Sequence, residues 1–362
     1  MLRADVRHNL ALIGIAASYG SIGCEALIGA NFDPRPLHVD ASTPTESPFK
    51  VVQAPPEGET LTAIWGYDAQ NIIAVGRNGV RYHYADGIWT RSQLGGGRDY
   101  YAIWGTSSTD VYAVGTTRGD ARGFVVHFDG SAWVDEYIAD EALYGVWGAD
   151  NLVYAVGAQG MLYGKYVGTT DWAKRLSKGL PANPSVPASP DAPILWSIAG
   201  NNADNFAIAA DADRIFHYVG KGDFVNLDPI VDRTIVFRTA WAAPGPSTNI
   251  FFGSNHLGIS WLGETTSDPT DGSASTEEIV RLHEDKSLSG SENLFVRGIW
   301  GDPTFTVFVG DLGHIYSYGH VSNQTQPIVS PTTAALCGVW GSSPDDVWIV
   351  GQRELILHGR VR

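Results

Sequence analysis

Short apolar runs recur along the chain from about residue 60, separated by polar segments that contain glycine. In the first unit, Trp65-Gly66 is followed by a second run that ends at Val75-Gly76, and a third run ends before Asp86-Gly87. An Asp-Gly pair favours a tight hairpin because glycine tolerates positive φ. Short apolar runs bounded by such turns predict antiparallel β-strands.

These runs form a unit that recurs along the chain. Each unit is marked by an apolar residue followed by Trp-Gly, and in two units either the Trp or the Gly is replaced. The seven copies are Ile64-Trp65-Gly66, Ile103-Trp104-Gly105, Val146-Trp147-Gly148, Ile198-Ala199-Gly200, Ala240-Trp241-Ala242, Ile299-Trp300-Gly301 and Val339-Trp340-Gly341. A fourth, weaker run opens with Trp89, Trp133 or Trp172. Four strands in a unit of roughly 40–45 residues are typical of a propeller blade. The sequence therefore predicts an all-β fold, a seven-bladed β-propeller of four-stranded antiparallel blades over residues 49–362.

The innermost strand of each predicted blade carries a further pattern. The residue two before the tryptophan position is always small: Ala63, Ala102, Gly145, Ser197, Thr239, Gly298 and Gly338. The residue four before it is always apolar: Leu61, Tyr100, Leu143, Leu195, Phe237, Val296 and Leu336. Small side chains suit the inner edges of blades, which converge on the central axis, and the apolar position suits packing against the next blade.

The last unit stops after its third run, near residues 355–358, and lacks an outer strand. Residues 49–53 precede the first unit and have the pattern of the outer strand that begins at Trp89. We therefore expect this N-terminal segment to complete the last blade and close the ring, which removes an exposed sheet edge.

The Trp-Gly and Ala-Val-Gly repeats resemble those of secreted bacterial β-propellers, with a looser likeness to tectonin-type lectin repeats and to sialidase Asp-box propellers. The likeness covers residues 49–362 and concerns the fold. Asp86-Gly87 with Trp89, and Asp129-Gly130 with Trp133, retain part of the Asp-box pattern. The resemblance implies a propeller but selects no activity, because this fold carries lectins, scaffolds and hydrolases alike.

The N-terminus has the pattern of an export signal. Arg3 and Arg7 precede an apolar stretch, residues 10–23, that is too short to span a bilayer. Cys24 follows this stretch in a sequence, Ser21-Ile22-Gly23-Cys24, that resembles a bacterial lipobox. The alternatives are an ordinary signal cut after Ala17 and a frayed terminal strand. We expect a signal peptide over 1–23, lipidation of Cys24 and a flexible tether over 24–48. The protein is then extracytoplasmic, either lipid-anchored to the bacterial outer membrane or secreted, and it contacts membrane only through the anchor.

Two insertions interrupt the repeat. In the first, five prolines recur at every third position from Pro181 to Pro193, which favours a polyproline II segment. It is interpreted as a stiff surface loop, with a docking strip as the alternative. The second insertion, residues 264–276, is rich in Ser, Thr, Asp and Gly and is interpreted as a hairpin tip.

Composition narrows the classes of partner and chemistry. The formal net charge is −15 and no run of Lys or Arg occurs, so we expect no nucleic-acid partner.

Two kinds of polar residue recur with the repeat. They are the histidines of the third strands (His83, His127, His217 and His358) and the Asp or Asn residues before the second strands (Asn71, Asp110, Asn205 and Asp346). Recurrence favours structural roles. No catalytic motif or spaced ligand set stands out, so we expect no catalytic residue, cofactor or metal.

The candidate site lies at the variable position of the inner strands, one residue before the small one. Its members with binding chemistry are Tyr101, Tyr144, Trp196, Arg238 and Arg297. Aromatic rings and guanidinium groups bind sugars, carboxylates and peptides, and the alternative is that they fill the channel. The sequence thus predicts a monomeric, non-catalytic extracytoplasmic binding or scaffold module for an unknown protein or carbohydrate of the cell envelope. The alternatives are a glycan-cleaving hydrolase of the sialidase-like propeller type and an assembly factor of the envelope.

Overall fold

A computed structural model describes residues 46–55, 57–174, 192–211, 214–218, 224–227, 236–243, 249–254, 259–262, 295–322 and 324–361. The predicted signal peptide, Cys24 and most of the tether lie outside these residues, as do the proline-rich insertion from 181 to 191 and residues 264–276. No helix in the described part of the chain is long and apolar enough to cross a membrane.

The described residues form β-strands joined by short turns. In the first half of the chain the strands are β1 (Phe49–Gln53), β2 (Leu61–Asp68), β3 (Asn71–Gly76), β4 (Val80–Ala85), β5 (Ile88–Gln93), β6 (Arg98–Ser107), β7 (Asp110–Thr117), β8 (Gly123–Phe128), β9 (Trp133–Ile138), β10 (Leu143–Ala149), β11 (Leu152–Gly157), β12 (Leu162–Tyr166) and β13 (Ala173–Lys174). In the second half they are β14 (Leu195–Asn202), β15 (Asn205–Ala210), β16 (Ile215–Tyr218), β17 (Phe224–Leu227), β18 (Phe237–Ala242), β19 (Ile250–Ser254), β20 (Ile259–Leu262), β21 (Val296–Asp302), β22 (Phe305–Gly310), β23 (Ile315–Gly319), β24 (Gln324–Ile328), β25 (Leu336–Ser343), β26 (Asp346–Gly351) and β27 (Leu355–Gly359).

These strands pair as antiparallel sheets that follow the sequence repeat. Six sheets have four strands: β2–β5, β6–β9, β10–β13, β14–β17, β21–β24, and the sheet β25–β26–β27–β1. The sheet β18–β19–β20 has three strands within the described residues. The prediction of seven four-stranded blades is thus wrong: within the described residues the structure has six complete blades, not seven. Residues 264–276, which follow β20, are rich in Ser, Thr, Asp and Gly, and of these Asp and Gly have weak strand propensity. No described strand follows β20 in its sheet.

The ring closes between the two ends of the described chain, as the sequence predicts. Strand β1 pairs antiparallel with β27, with Phe49 opposite Gly359. Phe49 is 2% exposed and packs in a cluster with Leu355 and Leu357. The sheet edge of β27 is therefore covered by β1.

The hydrophobic core lies between neighbouring sheets. Successive clusters each combine side chains of two adjacent sheets, and one of them joins Leu61 and Ile72 of the first blade to Val350 and Ile356 of the last. The seven apolar inner-strand positions are 0–1% exposed, which confirms their predicted packing role. The small positions bring backbones close together: a Cβ on Gly298 would lie 3.0 Å from the Cα of Gly338. The predicted reason for small residues is thus confirmed.

The Trp-Gly marker contributes a second contact between blades. The indole of Trp65 covers Gly105 of the next blade, and the indole of Trp104 covers Gly148 of the blade after that. A Cβ on Gly105 would lie 2.9 Å from the Trp65 ring. The glycine of each such pair therefore provides the room that the preceding tryptophan needs.

Candidate functional site

Every inner strand contains a β-bulge at the variable position. Its pairing with the second strand shifts register there, so that one residue is left without a partner in the ladder: Thr62, Tyr101, Tyr144, Trp196, Arg238, Arg297 and Cys337. We call these residues the bulge ring. A bulge redirects a side chain relative to its strand, and it explains why this position varies while its neighbours do not.

The bulge ring lines a central cavity of about 450 Å³. All seven of its members contribute to the wall, so the structure brings the five predicted binding residues together. They lie near the start of the inner strands, and we call this end of the channel the entry end. A cavity of a few hundred Å³ suits a small ligand or the end of a larger one.

Three aromatic side chains form one side of the entry end. The ring centroids of Tyr101 and Tyr144 are 5.2 Å apart, and those of Tyr144 and Trp196 are 4.7 Å apart. Burial raises the pKa of Tyr101 to about 12 and also raises the pKa of Tyr144. Both hydroxyls are therefore neutral at pH 7. These rings, contributed by three consecutive blades, form a continuous aromatic arc.

Arg238 continues the arc on the next blade. Its guanidinium Cζ lies 4.1 Å from the centroid of the Trp196 ring. Its Nε is buried and has no hydrogen-bond partner among the described residues. Desolvation, followed by the positive charge of Arg297, lowers the pKa of Arg238 to about 10, so the side chain remains cationic at neutral pH.

Arg297 differs from Arg238 because it has a carboxylate partner. Its Nε donates to Oδ1 of Asp311 at 2.5 Å. The ring of Phe295 lies between the two arginines, 5.4 Å from the Cζ of Arg238 and 5.6 Å from that of Arg297. Of two residues with the same predicted role, Arg297 is thus paired with a carboxylate and Arg238 is not.

A second set of charged residues at the entry end was not predicted from the sequence. Arg77 approaches the ring of Tyr101 at 5.9 Å, and its Nη1 donates to Oδ2 of the buried Asp99 at 3.1 Å. Arg118 donates to Oδ1 of Asp99 at 2.8 Å. Arg77 and Asp311 each follow the glycine that ends a second strand, and both begin a 3-10 turn. The residue after this recurring glycine varies between units, and that variation was the available signal.

For three of the four recurring histidines, the contacts match the structural role that recurrence predicts. Three of them hydrogen-bond through Nε2 to the Asp or Asn that begins the second strand: His127–Asp110 at 2.6 Å, His217–Asn205 at 2.7 Å and His358–Asp346 at 2.8 Å. His127 stacks on Tyr112 and His358 on Trp348. These contacts link strands within a blade, away from the bulge ring.

A hydrolase of the sialidase-like type would need two carboxylates that converge on the ligand. None of the described residues that line the cavity is Asp or Glu. Within the described ranges, no three His, Cys, Asp or Glu side chains are grouped closely enough to hold a metal ion.

Comparison with known proteins supports the fold. No protein-family model and no curated protein sequence matches the chain. Among solved structures, YCF48 bound to D1 peptide is 13% identical with a TM-score of 0.62, covering 88% of this chain and 99% of that one. YCF48 from Cyanidioschyzon merolae is 11% identical with a TM-score of 0.63, covering 86% and 98%. Virginiamycin B lyase from Staphylococcus aureus is 11% identical with a TM-score of 0.65, covering 86% and 98%. At these identities the likeness shows a shared fold, and the chain is a β-propeller.

Proposed function

We propose that this chain is a non-catalytic, extracytoplasmic binding module whose ligand enters the channel at the bulge ring. The observation that carries the proposal is Arg238, a cation held in the cavity wall against Trp196, whose Nε has no hydrogen-bond partner among the described residues. A desolvated guanidinium stabilises the fold less than one that is paired, so its presence in a cavity wall favours a role in binding. YCF48, which has the same fold, has been solved with a bound peptide.

Export is part of this proposal and rests on the N-terminal signal pattern. The lipid anchor at Cys24 is a separate prediction. Cys337 is disulfide-bonded, and Cys24 is the other cysteine of the sequence. One sulfur atom cannot hold a thioether-linked lipid and a disulfide at once. A disulfide at Cys337 also fits an oxidising, extracytoplasmic compartment.

The function is tested by capture of ligands with purified protein. Wild type, the double variant Arg238→Ala/Arg297→Ala and the control Arg122→Ala are immobilised and incubated with envelope extract, and a glycan array is run alongside. Arg122 is an exposed arginine within 3.9 Å of Asp140, and it does not line the cavity. We expect a ligand that wild type and the control retain and the double variant loses.

Equal capture by all three proteins would contradict binding in the channel. It would favour the assembly-factor alternative, in which partners contact the sides of the blades. Circular dichroism of each variant shows whether the comparison is between folded proteins.

A further inference from the structure

The polar groups of the entry end divide into those already bonded within the protein and those that are not. The Oγ1 of Thr62 donates to the carbonyl of Tyr100 at 2.7 Å, and the Oγ of Ser197 accepts from the backbone N–H of Ala240 at 3.1 Å. These two hydroxyls hold neighbouring inner strands together. They are therefore engaged in the fold and contribute little to a ligand.

The buried unbonded groups of the bulge ring are donors. The Nε of Arg238 and the Nε1 of Trp196 are both buried without a hydrogen-bond partner among the described residues. Both groups carry N–H and neither can accept. A buried donor without an acceptor costs free energy, which a ligand that supplies acceptors would recover. The site thus favours a ligand rich in acceptor oxygens.

The charge of the site points to an anion. Arg297 is paired with Asp311. Arg77 shares Asp99 with Arg118, which also lies 3.8 Å from Glu59, so these cations have carboxylate partners within the protein. No carboxylate of a described residue lies within ion-pair distance of Arg238. Asp211 raises the pKa of Arg238 by electrostatic attraction without forming an ion pair with it. Arg238 is thus the uncompensated cation of the bulge ring, and a carboxylate matches its planar donors.

The aromatic arc does not offer the open face on which a sugar ring stacks. Trp196 is covered by the guanidinium of Arg238 on one side and meets Tyr144 on another. Tyr144 also meets Tyr101, and their ring planes are tilted by 51°. The ring faces of the arc are thus partly covered by one another and by the guanidinium. This leaves less open face for a sugar ring than for contact with a compact apolar group.

We propose that the entry end binds a carboxylate carried on a small apolar body, with the carboxylate on Arg238 and the apolar body against Tyr101 and Tyr144. The inference rests on the proposed function and names the chemistry of its ligand. The cavity of about 450 Å³ is large enough for such a group. Two kinds of ligand carry such a carboxylate: a free small acid and the C-terminus of a peptide chain.

The test compares acids with their neutral amides by titration calorimetry on the full mature chain. The probes are N-acetylphenylalanine and N-acetylphenylalaninamide, acetyl-Gly-Gly-Phe and its amide, and glucuronic acid as a hydroxylated acid. We expect each apolar acid to bind about tenfold more tightly than its amide, because one charge-assisted contact is lost in the amide. Tighter binding of the tripeptide acid would identify a chain terminus as the source, and tighter binding of the single amino acid would identify a free acid.

Substitutions at Arg238 test whether its charge causes the preference for the acid, and thermal melts test whether each variant is folded. Arg238→Gln should abolish the preference for the acid, Arg238→Lys should retain part of it because lysine keeps the charge without the planar fork, and Arg122→Gln should leave it unchanged. Thermal melts of all three establish that each is folded.

The proposal is overturned if acid and amide bind equally, if Arg238→Gln keeps the preference, if glucuronic acid binds best, or if no probe binds wild type up to about 10 mM. If any of these occurs while envelope capture still depends on Arg238 and Arg297, the binding function stands and only the class of ligand is wrong.

Discussion

Trp340, in the last blade, lies against Gly66 in the first. A Cβ on Gly66 would lie 2.6 Å from the Cη2 and Cζ2 atoms of Trp340. The same contact joins Trp300 to Gly341. The Trp-Gly marker therefore works between neighbouring blades, and this copy of the contact joins the two ends of the ring.

We predict that Gly66→Ala lowers the free energy of unfolding by about 1–3 kcal/mol, because the methyl group displaces a large, packed ring. Gly96→Ala is the matched control, since the nearest atom to its Cβ would lie at 3.9 Å. Urea unfolding measures both. Adding Trp340→Ala should remove most of the additional cost of the Gly66 methyl, and an unchanged cost would contradict the contact.

Ring closure predicts a large effect for a residue near the N-terminus of the described chain. Phe49→Ala should destabilise the protein by about 3–5 kcal/mol, because a buried aromatic ring is lost from the cluster between β1 and its neighbours. Val52→Ala is the control on the same strand, where the side chain is 48% exposed. If thermal unfolding shows equal effects of the two substitutions, β1 does not close the ring.

His217 predicts a specific dependence of stability on pH. Desolvation lowers its pKa to about 4, so it is neutral at pH 7 in the folded chain, as it is in the unfolded chain. When the pH falls below about 6.5, His217 becomes protonated in the unfolded chain. In the folded chain it stays neutral until the pH reaches about 4. Stability should therefore fall across this window, with His217 accounting for about 2 kcal/mol at pH 5.

The check is denaturant unfolding of wild type and His217→Gln between pH 8 and pH 5. The variant should lose less stability on acidification than wild type does. Identical pH slopes would show that His217 is as easily protonated in the folded chain as in the unfolded one.

The two cysteines make the lipid prediction testable with a matched pair. If Cys24 carries a lipid, Cys24→Ala releases the protein from the membrane fraction and Cys337→Ala does not. If the disulfide of Cys337 is formed with Cys24, both variants fractionate alike, and neither shows the mass increase on reduction that wild type shows. The second result would contradict the lipid anchor and retain export.

The sequence predicted the candidate site through its repeat. Tyr101, Tyr144, Trp196, Arg238 and Arg297 were selected because one position varied between residues that did not, and all five line one cavity. Arg77 and Asp99 could not be predicted in the same way, because Arg77 lies in a turn and Asp99 near the start of β6, outside the recurring positions of the inner strand. Their contact spans 22 residues and two blades, a distance that no local pattern encodes.

The sequence by itself determined the all-β propeller, the order of its strands and the N-terminal closing strand. The same apolar, small and Trp-Gly positions recur at fixed offsets in every unit, so each unit independently predicts the same set of strands. The tertiary structure decided the strand number of the sheet β18–β20 and the cavity that the bulges build. It also decided that Arg297 is paired while Arg238 has no ion-pair partner among the described residues. These features depend on which residues meet across neighbouring strands and blades, and a carboxylate such as Asp311 acquires its partner only when the sheet has formed.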